Sequence, residues 1–107
     1  MRRLGTGELG LTPTVGRAWT IDAPFRETVG AIRRHQAAGV TVVEMEAAAI
    51  FAVAKVRGAR AGLIVAVSDE LFQPWNPGFH LPVYVDALTR AADAVLLAAG
   101  RLVQPGD

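Results

Sequence analysis

The sequence contains no cysteine among its 107 residues. Disulfide bonds, thiolate nucleophiles and cysteine-ligated metal sites are therefore excluded. The two histidines, His35 and His80, lie far apart along the chain, without the short spacing that is typical of a pair of metal ligands. The sequence therefore predicts no metal site.

The sequence also lacks a strong charge of either sign and a long hydrophobic run. The formal net charge is +1, and basic residues cluster only as the pairs Arg2–Arg3 and Arg33–Arg34, which is typical of a solvated surface. The longest apolar stretch, Ala61–Val67, is far shorter than the ~20 residues of a membrane-spanning helix. The amino terminus shows no apolar signal segment. We therefore expect a cytoplasmic protein with no nucleic-acid or membrane partner.

The composition is that of one ordered domain. Hydrophobic residues make up 51% of the sequence and charged residues 20%, a balance that favours a folded core over disorder. Residues 1–13 carry three glycines and one proline without periodicity, so we predict a flexible amino-terminal segment there. Residues 14–100 are predicted to form the domain, and residues 101–107 a tail.

The first half of the domain is predicted to be strand, helix, strand, helix. Residues 14–21 contain a candidate strand. Apolar residues at helical spacing after Asp22-Ala23-Pro24 predict a helix of about four turns, which Gly39 ends. The β-branched run Val40–Val43 is typical of a buried strand. The apolar stripe that begins after Glu46 predicts a second helix, which Gly58 ends.

The second half is predicted to be strand and helix. The apolar run Ala61–Val67 predicts a third strand, which ends abruptly at Ser68-Asp69. After a proline-rich loop, residues 83–99 are predicted to form a third helix that Gly100 ends. The residues of this helix expected to face inward are Leu88, Ala91, Ala92, Val95 and Leu96.

This order predicts the α/β fold class, as a three-layer arrangement with a mostly parallel sheet flanked by helices. Ligands of such sheets bind beyond the carboxyl ends of the strands. Val40–Val43 runs into Glu44-Met45-Glu46, and Leu63–Val67 runs into Ser68-Asp69. Acidic residues are therefore predicted at the edge of the sheet where ligands bind.

Two interpretations of these acids are open from the residues alone. Glu44 and Glu46 could complement the positive end of a helix dipole, with Met45 as core filler. Alternatively, the Glu46 carboxylate could accept hydrogen bonds from the vicinal hydroxyls of a ribose, with Met45 against the apolar face of the sugar. Asp69 could likewise cap the segment that follows it, or it could hydrogen-bond or protonate a ring nitrogen of a base.

The sequence resembles the nucleoside phosphorylase and uridine phosphorylase family over residues 14–99. The resemblance rests on the run from Val43 to Phe51, on Gly58 and on Val67-Ser68-Asp69. The upstream segment from Asp22 to Thr28, and Gly39, match in order and spacing. The resemblance implies a truncated nucleoside phosphorylase fold that corresponds to the carboxyl-terminal half of the family domain.

The resemblance also implies an activity. Phosphate would attack C1′ of a nucleoside, purine rather than pyrimidine, and would release the base and ribose 1-phosphate. Met45 and Glu46 would hold the ribose, and Asp69 would act on the base as the catalytic residue. The remaining nucleoside-binding residues implied are Val43 and Glu44 through their backbone, Ser68 beside Asp69, and Phe25 stacked on the base. Phosphate is the co-substrate, no metal or organic cofactor is implied, and we expect a homo-oligomer.

The sequence departs from the family in its phosphate site. The family builds that site from its amino-terminal half, and Gly5, Gly7 and Gly10 do not form the expected glycine-rich turn after a strand. We therefore expect a truncated protein or a fragment of a longer gene product, with incomplete activity on its own. The alternatives are a nucleosidase of the same superfamily, or a non-catalytic remnant that binds nucleoside or only assembles. Trp75 and Phe79 could close over a base or fill apolar space under their loop.

Overall fold

The computed structural model describes residues 13–71 and 75–100, and the backbone of residues 101–103. Residues 1–12 of the predicted flexible segment and residues 104–107 of the predicted tail lie outside the described residues. The chain divides into two compact units, one formed by residues 15–63 and the other including residues 64–103. The predicted boundaries of a single domain at residues 14 and 100 stay a prediction.

The unit of residues 15–63 contains a two-stranded parallel sheet. Strand β1 (Arg17–Thr20) pairs with strand β2 (Val40–Glu44), with Trp19 opposite Val43 and Thr20 opposite Glu44. The Ile21 amide donates to the Glu44 carbonyl at 2.9 Å and extends the pairing by one residue. The two predicted strands are therefore confirmed, and their carboxyl ends lie side by side.

The segment between these strands is not the single four-turn helix that the sequence predicted. Pro24–Arg26 forms one turn of 3-10 helix, and helix α1 (Val29–Ala37) begins afterwards. Thr28 separates the two because it adopts an extended backbone and its hydroxyl accepts a hydrogen bond from the Ala31 amide at 3.2 Å. A threonine in this conformation is a favoured helix cap. Gly39 follows α1 with φ +81° and ends the helix as predicted.

Helix α2 (Ala47–Val56) follows β2 and confirms the second predicted helix. Gly58 has φ +63°, a conformation that glycine adopts at little cost. The Gly58 amide donates to the Lys55 carbonyl and the Ala59 amide donates to the Ala54 carbonyl, at 3.3 and 2.8 Å. This pair of bonds is a Schellman motif, which satisfies carbonyls that the helix end would otherwise leave unpaired.

The predicted third strand is wrong. Residues 59–68 form neither helix nor strand, although Ala61–Val67 is fully apolar. An apolar run shows a preference for burial, but a strand also needs a neighbour with which its backbone can pair. Pairing begins instead at strand β3 (Asp69–Glu70), which is antiparallel to strand β4 (Asn76–Pro77). Asp69 therefore starts a short hairpin and does not follow a parallel strand.

Helix α3 (Pro82–Val103) confirms the third predicted helix but continues past Gly100 into the predicted tail. Gly100 does not have the positive φ of a glycine that ends a helix. Among the described residues, only Gly39 and Gly58 have positive φ values. The predicted inward face is also wrong, because Leu88, Val95 and Leu96 are at least half exposed. Among residues 82–100 of this helix, the buried residue is Ala94.

The described residues therefore form a mixed α/β structure with one small parallel sheet and one antiparallel hairpin. Its buried hydrophobic residues are few and mostly small, namely Ile21, Ala31, Ala47 and Ala94. No helix in the described ranges combines the length and the apolar character needed to span a bilayer.

Candidate functional site

A cleft of about 460 Å³ lies at the carboxyl ends of β1 and β2. This is the edge where parallel sheets bind ligands, and the volume is in the usual range of ligand sites. The cleft is formed by the end of β1 and the residues after it, by Met45 after β2, and by the first turn of α2. Its lining residues are Trp19, Thr20, Ile21, Asp22, Arg26, Met45, Ala48 and Ala49.

The edge of this cleft is organised around the Glu44 carboxylate. One carboxylate oxygen accepts a hydrogen bond from the Thr20 hydroxyl. The other accepts from the backbone amides of Glu46 and Ala47, at 2.7 and 2.6 Å. The Thr20 hydroxyl oxygen in turn accepts from the Ala48 amide at 3.1 Å. Glu44 and Thr20 together therefore satisfy three of the amides that the amino terminus of α2 leaves unpaired.

These contacts affect the ionisation of Glu44. Burial of the half-buried side chain acts to raise its pKa, but the hydrogen bonds from Thr20, Ala47 and Glu46 outweigh burial, so the pKa of Glu44 is lower than that of an ordinary glutamate. Donors aimed at a carboxylate favour its charged form, and so does the positive end of the helix dipole. Glu44 is therefore held as an anion at neutral pH.

We expect Glu44→Ala to lower the free energy of unfolding of the 15–63 unit by about 1 kcal/mol, the usual cost of removing a helix cap. Trp19 is the tryptophan of this unit, so urea unfolding followed by its fluorescence in a Trp75→Phe background measures the effect. The matched control is Glu46→Ala, because the exposed Glu46 side chain makes no capping bond. Equal losses for the two variants would contradict the capping role.

The contribution of Glu44 should also depend on pH. Because the pKa of Glu44 is lower in the folded chain, its stabilisation is fully present above the unfolded value of about 4.3. It is lost as the pH falls through the lowered folded pKa. The stability difference between the wild type and Glu44→Ala is therefore expected at pH 7 and should shrink below about pH 4.

Of the residues predicted to bind nucleoside, Met45 lines the cleft and is 44% exposed. Glu46 is the next residue and is exposed. Val43 is half-buried opposite Trp19 in the sheet, and the Glu44 carbonyl accepts from the Ile21 amide. Phe25 is 81% exposed and is not among the lining residues. The roles of these residues stay predictions.

Apart from Met45, the residues that line the cleft were not predicted as ligand-binding. Trp19 stacks on His35 of α1, with ring centroids 4.0 Å apart and an interplanar angle of 19°. Arg26 forms an ion pair with Asp22 at 3.3 Å, and its guanidinium lies 5.8 Å from the Phe25 ring centroid. The strand predicted within residues 14–21 was a signal for residues at the cleft. If it pairs in parallel with β2, the carboxyl ends of both strands lie at the same edge of the sheet, where ligands bind.

Ser68 and Asp69 belong to the other unit. The Ser68 hydroxyl donates to Asp69 Oδ1 at 2.7 Å, and the Trp75 indole Nε1–H donates to Asp69 Oδ2 at 2.8 Å. Trp75 and Phe79 are 55% and 50% exposed, so these rings do not fill buried space under the loop. In the described ranges, no group of three or more metal-ligating side chains is placed to hold a metal ion.

The comparisons with known proteins agree with the resemblance in the sequence. A profile of the phosphorylase superfamily matches residues 3–99. This chain belongs to the phosphorylase superfamily. A DeoD-type purine nucleoside phosphorylase from Bacillus cereus is 35% identical over 65 residues, which cover 61% of this chain and 28% of the relative.

The chain of this superfamily member thus spans less than a third of the length of the curated relative that it matches. No solved structure matches the chain. The cleft beside Met45 is the candidate ligand site of the 15–63 unit, and the roles of Ser68 and Asp69 stay predictions.

Proposed function

We propose that this chain is the nucleoside-binding part of a nucleoside phosphorylase. In the proposed reaction, phosphate forms a bond to C1′ of the nucleoside as the N-glycosidic bond breaks. The bonding electrons leave with the base, and the products are the free base and ribose 1-phosphate. The observation that carries the proposal is the cleft at the carboxyl ends of β1 and β2 in a phosphorylase superfamily chain, with Met45 in its wall.

The ribose is proposed to lie against Met45 and Glu46. The Met45 side chain is half exposed in the cleft and offers an apolar surface to the sugar. The Glu46 carboxylate is exposed, and at the cap position of α2 it makes no hydrogen bond to the helix. Glu44 already caps that helix. Glu46 therefore keeps its oxygens available for the two vicinal hydroxyls of a ribose.

The base is proposed to be a purine, with Asp69 as its partner. A carboxylate can accept a hydrogen bond from a purine ring N–H, and a carboxylic acid can protonate the ring nitrogen as the base leaves. Support comes from the similarity to a purine nucleoside phosphorylase. Tighter binding of uridine than of inosine would contradict this assignment.

Two features of the whole protein are also proposed. The first is the three-layer α/β fold, in which the β1–β2 sheet is part of a larger parallel sheet between helices; a crystal structure with helices on one face only would contradict it. The second is a homo-oligomer, because α2 exposes Ile50, Phe51, Val53 and Val56 and exposed apolar surface favours association. A monomeric sedimentation coefficient would contradict the second.

The ribose assignment predicts that Glu46→Gln weakens inosine binding by about 1.5–3 kcal/mol, because hydrogen bonds to an ionised group are lost. Calorimetric titration of the purified chain with inosine and with hypoxanthine measures this loss. The variant should bind hypoxanthine as the wild type does, because the free base has no ribose hydroxyls. Equal affinity of the wild type for inosine and hypoxanthine would contradict a role for Glu46 and Met45 in binding ribose.

A further inference from the structure

We propose that Trp75 is a positioning residue that fixes the orientation of the Asp69 carboxylate for binding a purine base. This inference rests on the proposed function, because it assigns a partner to the carboxylate that would meet the base. The Trp75 indole donates to Asp69 Oδ2 at 2.8 Å, while the Ser68 hydroxyl donates to Oδ1 at 2.7 Å. Each carboxylate oxygen is therefore held by its own donor.

This arrangement leaves the carboxylate able to bind a ligand. Each carboxylate oxygen can accept about two hydrogen bonds, so Oδ1 and Oδ2 each keep one acceptor site. An indole N–H can only donate a hydrogen bond, whereas a hydroxyl can either donate or accept one. The Trp75 indole is therefore always the donor in its contact with Asp69. A carboxylate held by two donors presents its remaining lone pairs in a defined direction, which is what recognition of a ring N–H requires.

The hairpin places Trp75 where it can act on Asp69. Asp69 pairs with Pro77 and Glu70 pairs with Asn76 in the β3–β4 ladder, and Trp75 directly precedes β4. The Asn76 side-chain amide donates to the Glu70 carboxylate at 3.3 Å. The backbone pairing of the hairpin therefore brings Trp75 and Asp69 close together.

Trp75 is not placed as a core residue. Its side chain is more than half exposed, and its ring meets Phe79 in a tilted contact with centroids 6.0 Å apart. A tryptophan buries a large apolar surface when it stabilises a core, and this one does not. Its described contacts are those with Asp69 and Phe79, of which the first is polar and directed. The geometry therefore favours a role exerted through Asp69.

The contact can be tested in the full chain without any ligand. The sequence has two tryptophans, so a proton–nitrogen correlation spectrum has two indole resonances, and Trp19→Phe assigns the one from Trp75. Asp69→Asn should shift the Trp75 indole resonance, because the charged acceptor is removed. Glu70→Gln is the matched control, since it neutralises the neighbouring acid and should leave the resonance in place. A Trp75 resonance that is indifferent to Asp69→Asn overturns the inference.

The positioning role is tested by calorimetric titration with hypoxanthine and inosine. Trp75→Phe keeps an aromatic ring but removes the donor, and it should weaken binding of both by about tenfold, the scale of one hydrogen bond to a charged group. Phe79→Leu removes the ring contact but keeps the donor, and it should bind as the wild type does. If the wild type binds and Trp75→Phe binds equally well, the positioning role is overturned and the proposed function stands. If the wild type binds neither compound, the proposed function fails and the positioning role fails with it.

Discussion

The purified 107-residue chain is expected to release no measurable base from inosine, adenosine or uridine in the presence of phosphate. Phosphorolysis needs a phosphate dianion held behind C1′, and proteins hold such anions with helix amino termini, backbone amides and arginines. We expect no such site in this sequence, because Gly5, Gly7 and Gly10 do not form a glycine-rich turn after a strand. The structure adds a physical reason for expecting no substitute site in the cleft.

The helix amino terminus at the cleft is already occupied. The amides of Glu46 and Ala47 donate to the Glu44 carboxylate, and the Ala48 amide donates to the Thr20 hydroxyl. A second anion there would meet the charge of Glu44 as well as amides that have a partner. Among the described residues that line the cleft, Arg26 is the one cation, and its guanidinium is paired with Asp22.

The assay is release of base from each nucleoside with phosphate, with arsenate and with neither anion, using an active nucleoside phosphorylase as the positive control. Rapid phosphate-dependent release by the purified chain would contradict the prediction. It would mean that a partner subunit or another segment completes the anion site. Release that is independent of phosphate would instead support the alternative of a nucleosidase.

Gly78→Ala is expected to destabilise the 64–103 unit strongly, whereas Gly100→Ala in helix α3 is expected to stabilise it. A Cβ atom at residue 78 would lie 2.6 Å from the Ser68 carbonyl oxygen, a backbone atom that the Gly78 amide also binds at 2.7 Å. The backbone segments at residues 68 and 78 must therefore move apart to accept the methyl group. Among the described residues, a Cβ atom at residue 100 meets nothing within 4 Å outside its own helix backbone and its chain neighbours.

The two substitutions make a matched pair, because each adds one methyl group to a glycine. Overpacking typically costs about 1–3 kcal/mol, and Gly to Ala inside a helix contributes about 0.5–1 kcal/mol, so a difference of about 1.5–4 kcal/mol is expected. Trp75 is the tryptophan of this unit, so urea unfolding followed by its fluorescence in a Trp19→Phe background measures it. Equal stabilities would show that the close approach of residues 68 and 78 is absent in solution.

If the hairpin opens in Gly78→Ala, the contact between Trp75 and Asp69 should weaken as well. The hairpin bonds of Ser68 and Gly78 and the indole bond to Asp69 lie within a few residues of each other. The Trp75 indole resonance of Gly78→Ala should therefore move in the same direction as that of Asp69→Asn. This links the stability of the hairpin to the orientation of the carboxylate that is proposed to meet the base.

Most local elements of the 15–63 unit could be predicted from the sequence because they have signals within a few residues, although the division of the first predicted helix at Thr28 was not predicted. The β-branched run Val40–Val43 predicts a strand, and the alanine-rich segment after it predicts a helix. Gly39 and Gly58 predict the ends of two helices, and both have positive φ values as that role requires. The acidic segment Glu44-Met45-Glu46 at the end of β2 also identified the family, because its residue order and spacing can be read from the sequence alone.

Tertiary structure decided one partner of Glu44, the acid at the end of β2 that caps helix α2. The acidic segment was open to a helix-capping role and to a ribose-binding role, and Glu44 takes the first through the amides of Glu46 and Ala47. Its carboxylate also accepts a hydrogen bond from the Thr20 hydroxyl, so Glu44 and Thr20 lie side by side. These two residues are separated by 24 positions, and only the parallel pairing of β1 with β2 brings them together. Such pairing depends on distant chain segments, which local periodicity cannot report.

The same reason explains where the sequence misled. Ala61–Val67 has the composition of a buried strand, yet it has no strand partner in the described structure, since an apolar run does not specify its neighbour. The contact between Trp75 and Asp69 depends on the register of the hairpin. The identities of these two residues do not specify that register. The sequence alone determined the family and most local elements of the 15–63 unit, whereas the contact of Glu44 with Thr20 and that of Asp69 with Trp75 depend on backbone pairing.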